Sequence, residues 1–209
     1  MESICQALMT TVSQMSIEQE TERWKRVKTE VLSDLADCGI EEDPPRLSEL
    51  FAKVITGETN GGKGILLMGN VGSGKSRRMQ QLATMLDCSF KSAETFGEAW
   101  REMGEDFDFQ QYCGCVKPRW DVVPKHWNDL IIDDIGTEEK VYNCYGNSCD
   151  VMSRVIMERY KVFPEWKTHF STNLNREQLL ERYGERVYSR LNEMCLFVKL
   201  NHGDRRKNG

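Results

Sequence analysis

The chain has 209 residues, 39% of them hydrophobic, and a net charge of −5. That is enough apolar material for one sizeable core, while the acidic balance excludes the broad basic field that dominates nucleic-acid affinity, so any such contact is local. No run approaches the roughly 18 uncharged apolar residues of a membrane span, and the opening MESICQALMTTVSQMSIEQE lacks the basic start and apolar stretch of a secretory signal. A cytoplasmic protein with no membrane partner is therefore expected. Its eight irregularly spaced cysteines should be free thiols rather than a disulfide framework.

In chain order, Trp24, Val27, Val31, Leu32 and Leu35 fall at the spacing of an amphipathic helix over 18–37, which Gly39 and Pro44-Pro45 stop. Residues 1–58 are expected to form a short helical N-terminal segment and a candidate for partner binding, with 59–209 as the main domain. After the turn GETNGGKG, Ile65 to Met68 reads as a buried strand, apolar on both faces. Lys75 to Leu86 reads as a helix with Met79, Leu82, Ala83 and Leu86 on one face, and Cys88 to Lys91 as a strand. A helix over 93–103 and an irregular insertion over 106–125 follow. Leu130 to Ile132 is a second buried strand ending in Asp133-Asp134, before a helix over 148–163. Thr168 to Ser171 is a strand leading into Thr172-Asn173; two helices (175–183, 185–194) and a last strand (196–200) close the chain. Strands alternating with helices predict an α/β fold: a three-layer αβα arrangement around a parallel five-stranded sheet, with ligands at the strands' carboxyl ends.

The chemistry begins at GNVGSGKS, positions 69–76. Gly69, Gly72 and Gly74 permit a tight loop whose amides, together with Asn70, Val71 and Ser73, wrap the phosphates of ATP. Lys75 supplies a cation for the β and γ phosphates, Ser76 a hydroxyl for Mg²⁺, and the helix running on through Arg77 presents its positive end to the anion. A strand before this loop and a helix after it make a phosphate-binding reading specific, against an ordinary glycine-rich turn. LIIDD supplies the partner: Asp133 is placed to hold Mg²⁺, and Asp134 to orient or deprotonate the attacking water. Asn173, at the next strand tip, is within reach of the γ phosphate or that water; a plain turn residue is the alternative.

Cys113, Cys115, Cys144 and Cys149 have imperfect zinc spacings (C-x-C and C-x4-C), so free thiols and no zinc are expected. Trp100, Trp120, Trp127 and Trp166 read as packing residues rather than base-stacking platforms.

Taken together, GNVGSGKS, LIIDDIGTE, YGN at 145–147, THFSTNL at 168–174, RYGERVYSRLNEM at 182–194 and the terminal DRR resemble the AAA+ ATPases. Within them the likeness is to helicase loaders of the DnaC type and the related IstB transposition ATPases, over roughly residues 61–207. The resemblance implies a P-loop AAA+ ATPase that hydrolyses ATP to ADP and phosphate. It further implies a role in DNA replication, with a replicative helicase and single-stranded DNA as partners and ATP-dependent homo-oligomerisation. By the same likeness Asn173 resembles the sensor-1 residue, Arg190 the arginine finger that reaches a neighbouring subunit's ATP, and Arg205 or Arg206 the sensor-2 arginine. On the residues alone, Arg190 equally pairs with Glu193 or Glu185. Asp134 stands where most AAA+ proteins carry glutamate, although loaders commonly have this Asp-Asp pair. The alternatives are an IstB-like transposition accessory ATPase and a nucleotide-binding adaptor with little hydrolysis.

Overall fold

A computed structural model describes residues 47–56, 62–115 and 128–200. The chain divides into two compact units, Met1–Glu58 and Thr59–Gly209. In the first, the expected helix over 18–37 lies outside the described residues; the described element is α1, Leu47–Thr56. Leu47, Leu50, Phe51, Val54 and Ile55 recur at helical spacing there, and Lys53 pairs with Glu49 one turn earlier at 2.8 Å.

The second unit is built on β1 (Gly64–Met68), β2 (Ser89–Ser92), β3 (Leu130–Asp133), β6 (Thr168–Thr172) and β7 (Cys195–Lys199). They form one parallel five-stranded sheet in the order β2-β3-β6-β1-β7, flanked by helices, as the strand and helix alternation predicts. Ile65, Leu66 and Leu67 of β1 are fully buried, as are Ile131 and Ile132 of β3 and Phe170 of β6. Each such side chain contributes roughly 1.5–3 kcal/mol on burial; β1 and Leu130–Ile132 of β3 are apolar on both faces, whereas β6 buries polar side chains around Phe170. After β1 the chain crosses to one edge of the sheet, and after β6 it crosses to the other. The crevice between the ends of β1 and β6 is therefore the topological switch point, where open parallel sheets bind ligands.

The helices of this unit are α2 (Lys75–Leu86), α3 (Ala93–Met103), α4 (Phe109–Tyr112), α5 (Val151–Lys161) and α6 (Arg176–Met194). Two expectations are corrected. The stretch expected to be irregular after 106 follows a 3₁₀ turn at Gly104–Asp106 and contains α4, whose first turn is capped by Asp108. The helix expected from 148 begins only at Val151, because Asn147–Cys149 (β5) pairs with Tyr142–Cys144 (β4) as an antiparallel hairpin. Tyr145 and Gly146 turn that hairpin at φ 47° and 86°, and Asp150 then caps α5 by accepting from the Ser153 amide at 3.1 Å. The two helices expected at 175–183 and 185–194 are present as the two halves of α6, divided at Gly184, whose φ of 75° and ψ of 166° no helix contains.

Arg159 of α5 is wholly buried, and it satisfies its guanidinium on the carbonyls of Cys113, Asn128 and Lys167 and the Thr168 hydroxyl at 2.8–2.9 Å. It thereby ties α5 to both chain ends that flank residues 116–127 and to the start of β6. Trp100 and Trp166 are buried packing residues as expected, and Trp120 and Trp127 lie outside the described residues. Cys88, Cys113, Cys115, Cys144, Cys149 and Cys195 are free thiols. Burial pushes the Cys113 pKa up to about 12. No group of three or more metal-ligating side chains converges among the described residues.

Candidate nucleotide-binding site

The glycine-rich loop GNVGSG, residues 69–74, joins β1 to α2 at the switch point. Its first amide, that of Gly69, donates to the Thr172 carbonyl at 3.2 Å, which fixes the loop's root against the end of β6. Gly72 and Gly74 hold φ of 81° and 84°. At Gly74 the left-handed backbone favours glycine, and a side chain there would displace the Arg78 guanidinium that lies against it. No side chain caps α2, and its first turn carries no acidic residue. The first amides of a helix have no intrahelical carbonyl, so these face outward with the positive end of the helix dipole behind them. That arrangement fits a phosphate.

Lys75 is only 4% exposed, and its ammonium donates to the carbonyls of Gly69 and Asn70 at 2.9 and 3.0 Å and to Asn173 Oδ1 at 2.7 Å. Burial lowers its pKa, opposed by the nearby charges of Asp134 and Asp133. Lys75 and Asn173, 98 residues apart in sequence, are thus in direct contact. Both border a cleft of ≈ 360 Å³ together with Gly72, Ser76, Arg77 and Asp134, and Val71 stands exposed at its rim. Gly69 and Asn70 border the adjoining recess of ≈ 530 Å³, which shares Asn173 with the cleft. Ser73 points inward; its hydroxyl is buried with no hydrogen-bond partner among the described residues.

The two aspartates end β3 in different environments. Asp133 is buried and accepts a short hydrogen bond from the Ser171 hydroxyl, whereas Asp134 borders the cleft with φ of 56°, a left-handed backbone that aspartate tolerates. Burial raises the Asp134 pKa, and the charge of Asp133 adds to the rise. The turn is stitched to β6 by side chains: the Asp134 amide donates to Ser171 Oγ at 2.9 Å, and Thr172 Oγ1 donates to the Ile135 carbonyl at 2.6 Å. Asn173 Nδ2 reaches Asp134 Oδ1 at a long 3.4 Å.

Arg190 sits on the half of α6 beyond the break. It donates to Glu193 Oε1 at 2.8 Å and to the Tyr160 hydroxyl at 3.1 Å, with its guanidinium 4.3 Å over the Tyr160 ring. The pairing with Glu193 is thus present within the chain. Arg205 and Arg206 lie outside the described residues.

Sequence reasoning missed two contributors. Arg78 is 4% exposed and donates to the carbonyls of Gly74 at 3.0 Å and Ser73 at 3.4 Å, bracing the loop from within α2. Its signal was available: a basic residue one helical turn after Gly74, at a position facing the protein. Ser171 bridges the two aspartates, and its alternation with Asn173 along β6 marks both as pointing toward the same side of the sheet.

No model of a known protein family matches the chain, and no curated protein sequence matches it. Among solved structures, the crystal structure of the DnaC helicase loader matches with a TM-score of 0.57 at 19% identity, covering 75% of this chain and 89% of that one. The chain has the AAA+ fold. The replication initiator DnaA bound to AMPPCP and single-stranded DNA matches at TM-score 0.49 and 18% identity, covering 74% of this chain and 46% of that one. AMPPCP-bound DnaA from Aquifex aeolicus matches at 0.48 and 18%, covering 76% and 47%. This chain therefore spans under half the length of the DnaA chains. At 19% identity the likeness to the DnaC structure is one of fold alone. Among the described residues no helix is long and apolar enough to cross a membrane.

Proposed function

We propose that this chain is an ATP-dependent loader of a replicative helicase: residues 59–209 bind and hydrolyse ATP, and residues 1–58 meet the partner, in the cytoplasm. The observation that carries the ATPase reading is the convergence of Lys75, Asp134 and Asn173 on one cleft at the switch point. The loading role rests on the motifs that resemble helicase loaders and on the fold likeness to DnaC.

Phosphoryl transfer needs mainly positioning and charge neutralisation. The loop amides and the start of α2 bind the phosphates, and Lys75 exchanges its carbonyl and Asn173 partners for phosphate oxygens. The Ser76 hydroxyl and the Asp133 carboxylate would hold Mg²⁺, which would offset phosphate charge; Ser171 already holds one oxygen of that carboxylate. Asp134 orients the attacking water and accepts its proton. Its raised pKa favours that acceptance. Asn173, released by Lys75, senses the γ phosphate. Arg190 acts on the ATP of a neighbouring subunit in an ATP-dependent homo-oligomer, which requires it to leave Glu193. Arg205 or Arg206 completes the site as sensor 2. The nucleotide state then sets the assembly's grip on helicase and single-stranded DNA.

The test is a phosphate-release assay with and without single-stranded DNA, joined to a pull-down of the source organism's replicative helicase with ATP or ADP. Turnover together with nucleotide-dependent helicase capture is the expected result. ATP binding without turnover would instead make the chain an adaptor. Capture of a transposase in place of the helicase would make it a transposition ATPase.

A further inference from the structure

The turn that follows Asp134 is held from one side by β6 and from the other by a carboxylate that the reaction scheme does not use. Glu138 is 5% exposed, and its side chain is fully enclosed. One oxygen, Oε2, accepts the Gly136 amide at 2.6 Å. The other, Oε1, accepts from Arg182 Nη2 at 2.7 Å and the Tyr183 hydroxyl at 2.8 Å, both on α6. Arg182 also donates to the Glu139 carbonyl at 3.2 Å and lies 3.5 Å from Asp150, the cap of α5.

We propose that Glu138 is a positioning residue for hydrolysis, holding the Asp134 turn in register with the first half of α6 through its enclosed bonds to Gly136, Arg182 and Tyr183. On the β6 side the turn is held by Ser171, whose Oγ and carbonyl accept the amides of Asp134 and Ile135, each at 2.9 Å. Asp134 and Gly136 both have left-handed backbones, at φ 56° and 93°, and within the turn the Asp134 carbonyl accepts only from Thr137, through its amide at 3.3 Å and its hydroxyl at 2.7 Å. Ser171 and Thr172 fix the turn's first two residues, and Glu138 fixes the third. A buried carboxylate is stable only when paired and hydrogen-bonded, so the three donors are coupled to one another through it. The α6 anchors, Arg182 and Tyr183, come just before the break at Gly184; the second half, with Arg186 and Arg190, begins beyond it. The turn that presents Asp134 and the helix that carries Arg190 therefore share one buried joint.

The inference rests on the ATPase reading, and the experiment separates the two. Glu138→Gln keeps size and shape but offers one acceptor oxygen, so it serves either Gly136 or the α6 donors. Tyr183→Phe removes one donor of the three and leaves the carboxylate paired. For the parent and both variants, steady-state turnover, affinity for a fluorescent ATP analogue, melting temperature and amide exchange across Asp134–Thr137 are measured. For Glu138→Gln the expected result is kcat at least tenfold lower, nucleotide Kd within twofold, and exchange in the turn at least tenfold faster. Tyr183→Phe should move the same two quantities in the same direction by less. Unchanged kcat and exchange in Glu138→Gln would overturn the proposal. Equal losses of kcat, affinity and protection throughout the domain would also overturn it, marking Glu138 as merely structural. A parent without turnover would refute the ATPase reading instead, and the exchange comparison would still decide whether Glu138 holds the turn.

Discussion

Replacing Arg78 with leucine asks whether the phosphate loop is braced from behind. The guanidinium donates to the Gly74 carbonyl at 3.0 Å and to the Ser73 carbonyl at 3.4 Å. In a trans peptide the carbonyl and the following amide point in opposite directions, so holding these carbonyls fixes the amides of Gly74 and Lys75, two donors of the phosphate cradle. A hydrogen bond from a charged donor is worth about 1.5–3 kcal/mol, while a contact at the distance limit adds little. If that bracing is felt in the nucleotide complex, Arg78→Leu weakens binding by about tenfold to a hundredfold, at 1.4 kcal/mol per decade. Titration with fluorescent ATP and ADP analogues measures it, and both nucleotides should weaken alike because the γ phosphate is not involved. Arg77→Leu is the control, since Arg77 is exposed and removes the same charge without touching the loop carbonyls. Equal losses in the two variants would refute the bracing argument and leave only the charge. Unchanged affinity in Arg78→Leu would refute both.

Lys75→Ala should abolish ATP binding in the same titration, because the other cations of the cleft's rim, Arg77 and Arg78, are respectively exposed and committed to the loop carbonyls. Asp134→Asn should bind ATP normally and lose about 10²–10⁴ in turnover, since the amide fits the left-handed backbone but takes no proton. The same variant should melt higher than the parent near neutral pH. The folded-state pKa of Asp134 is raised, so its contribution to stability is complete below the ordinary carboxylate range and is lost as the pH rises through the folded value. Melting scans in chelator should thus show a gap that closes below about pH 4; a gap that persists there would contradict the burial argument.

Two of the sheet's inner strands were legible because each is a short apolar run followed at once by polar punctuation: Met68 of β1 by the glycine loop, Ile132 of β3 by two aspartates. The break in α6 was legible for the same reason, as one glycine interrupts an apolar period. The start of α5 was not. Ser148 and Cys149 are compatible with a helix locally, and only pairing with Asn143 and Tyr142 makes them a strand. Within the site, Asp134 and Asn173 could be named as residue types at strand ends, and Lys75 as the cation that opens the helix after the glycine loop. Ser171 and Glu138 could not. They act on backbone groups or on other side chains, and what makes them part of the site is distance in space, which periodicity does not encode.

Arg190 is where sequence and structure pull hardest against each other, since its motif implies action in a neighbouring subunit while its guanidinium is occupied by Glu193 and Tyr160. The two are compatible if the pairing is the resting state of a finger. The ion pair is partly exposed, with side chains 33% and 44% accessible, and such pairs are worth only about 0–1 kcal/mol, so its rupture opposes little. A finger given in trans is worth about 10³ to 10⁵ in rate, far above any effect of losing that pair. Arg190→Ala should therefore bind ATP normally and hydrolyse it poorly, whereas Glu193→Gln, which frees the guanidinium, should hydrolyse at least as fast as the parent. Mixing Arg190→Ala with Lys75→Ala is decisive, because each contributes the part the other lacks. Partial recovery of turnover in the mixture places the finger in trans. If mixed assemblies form and stay inactive, Arg190 is an intrachain residue whose partner is Glu193.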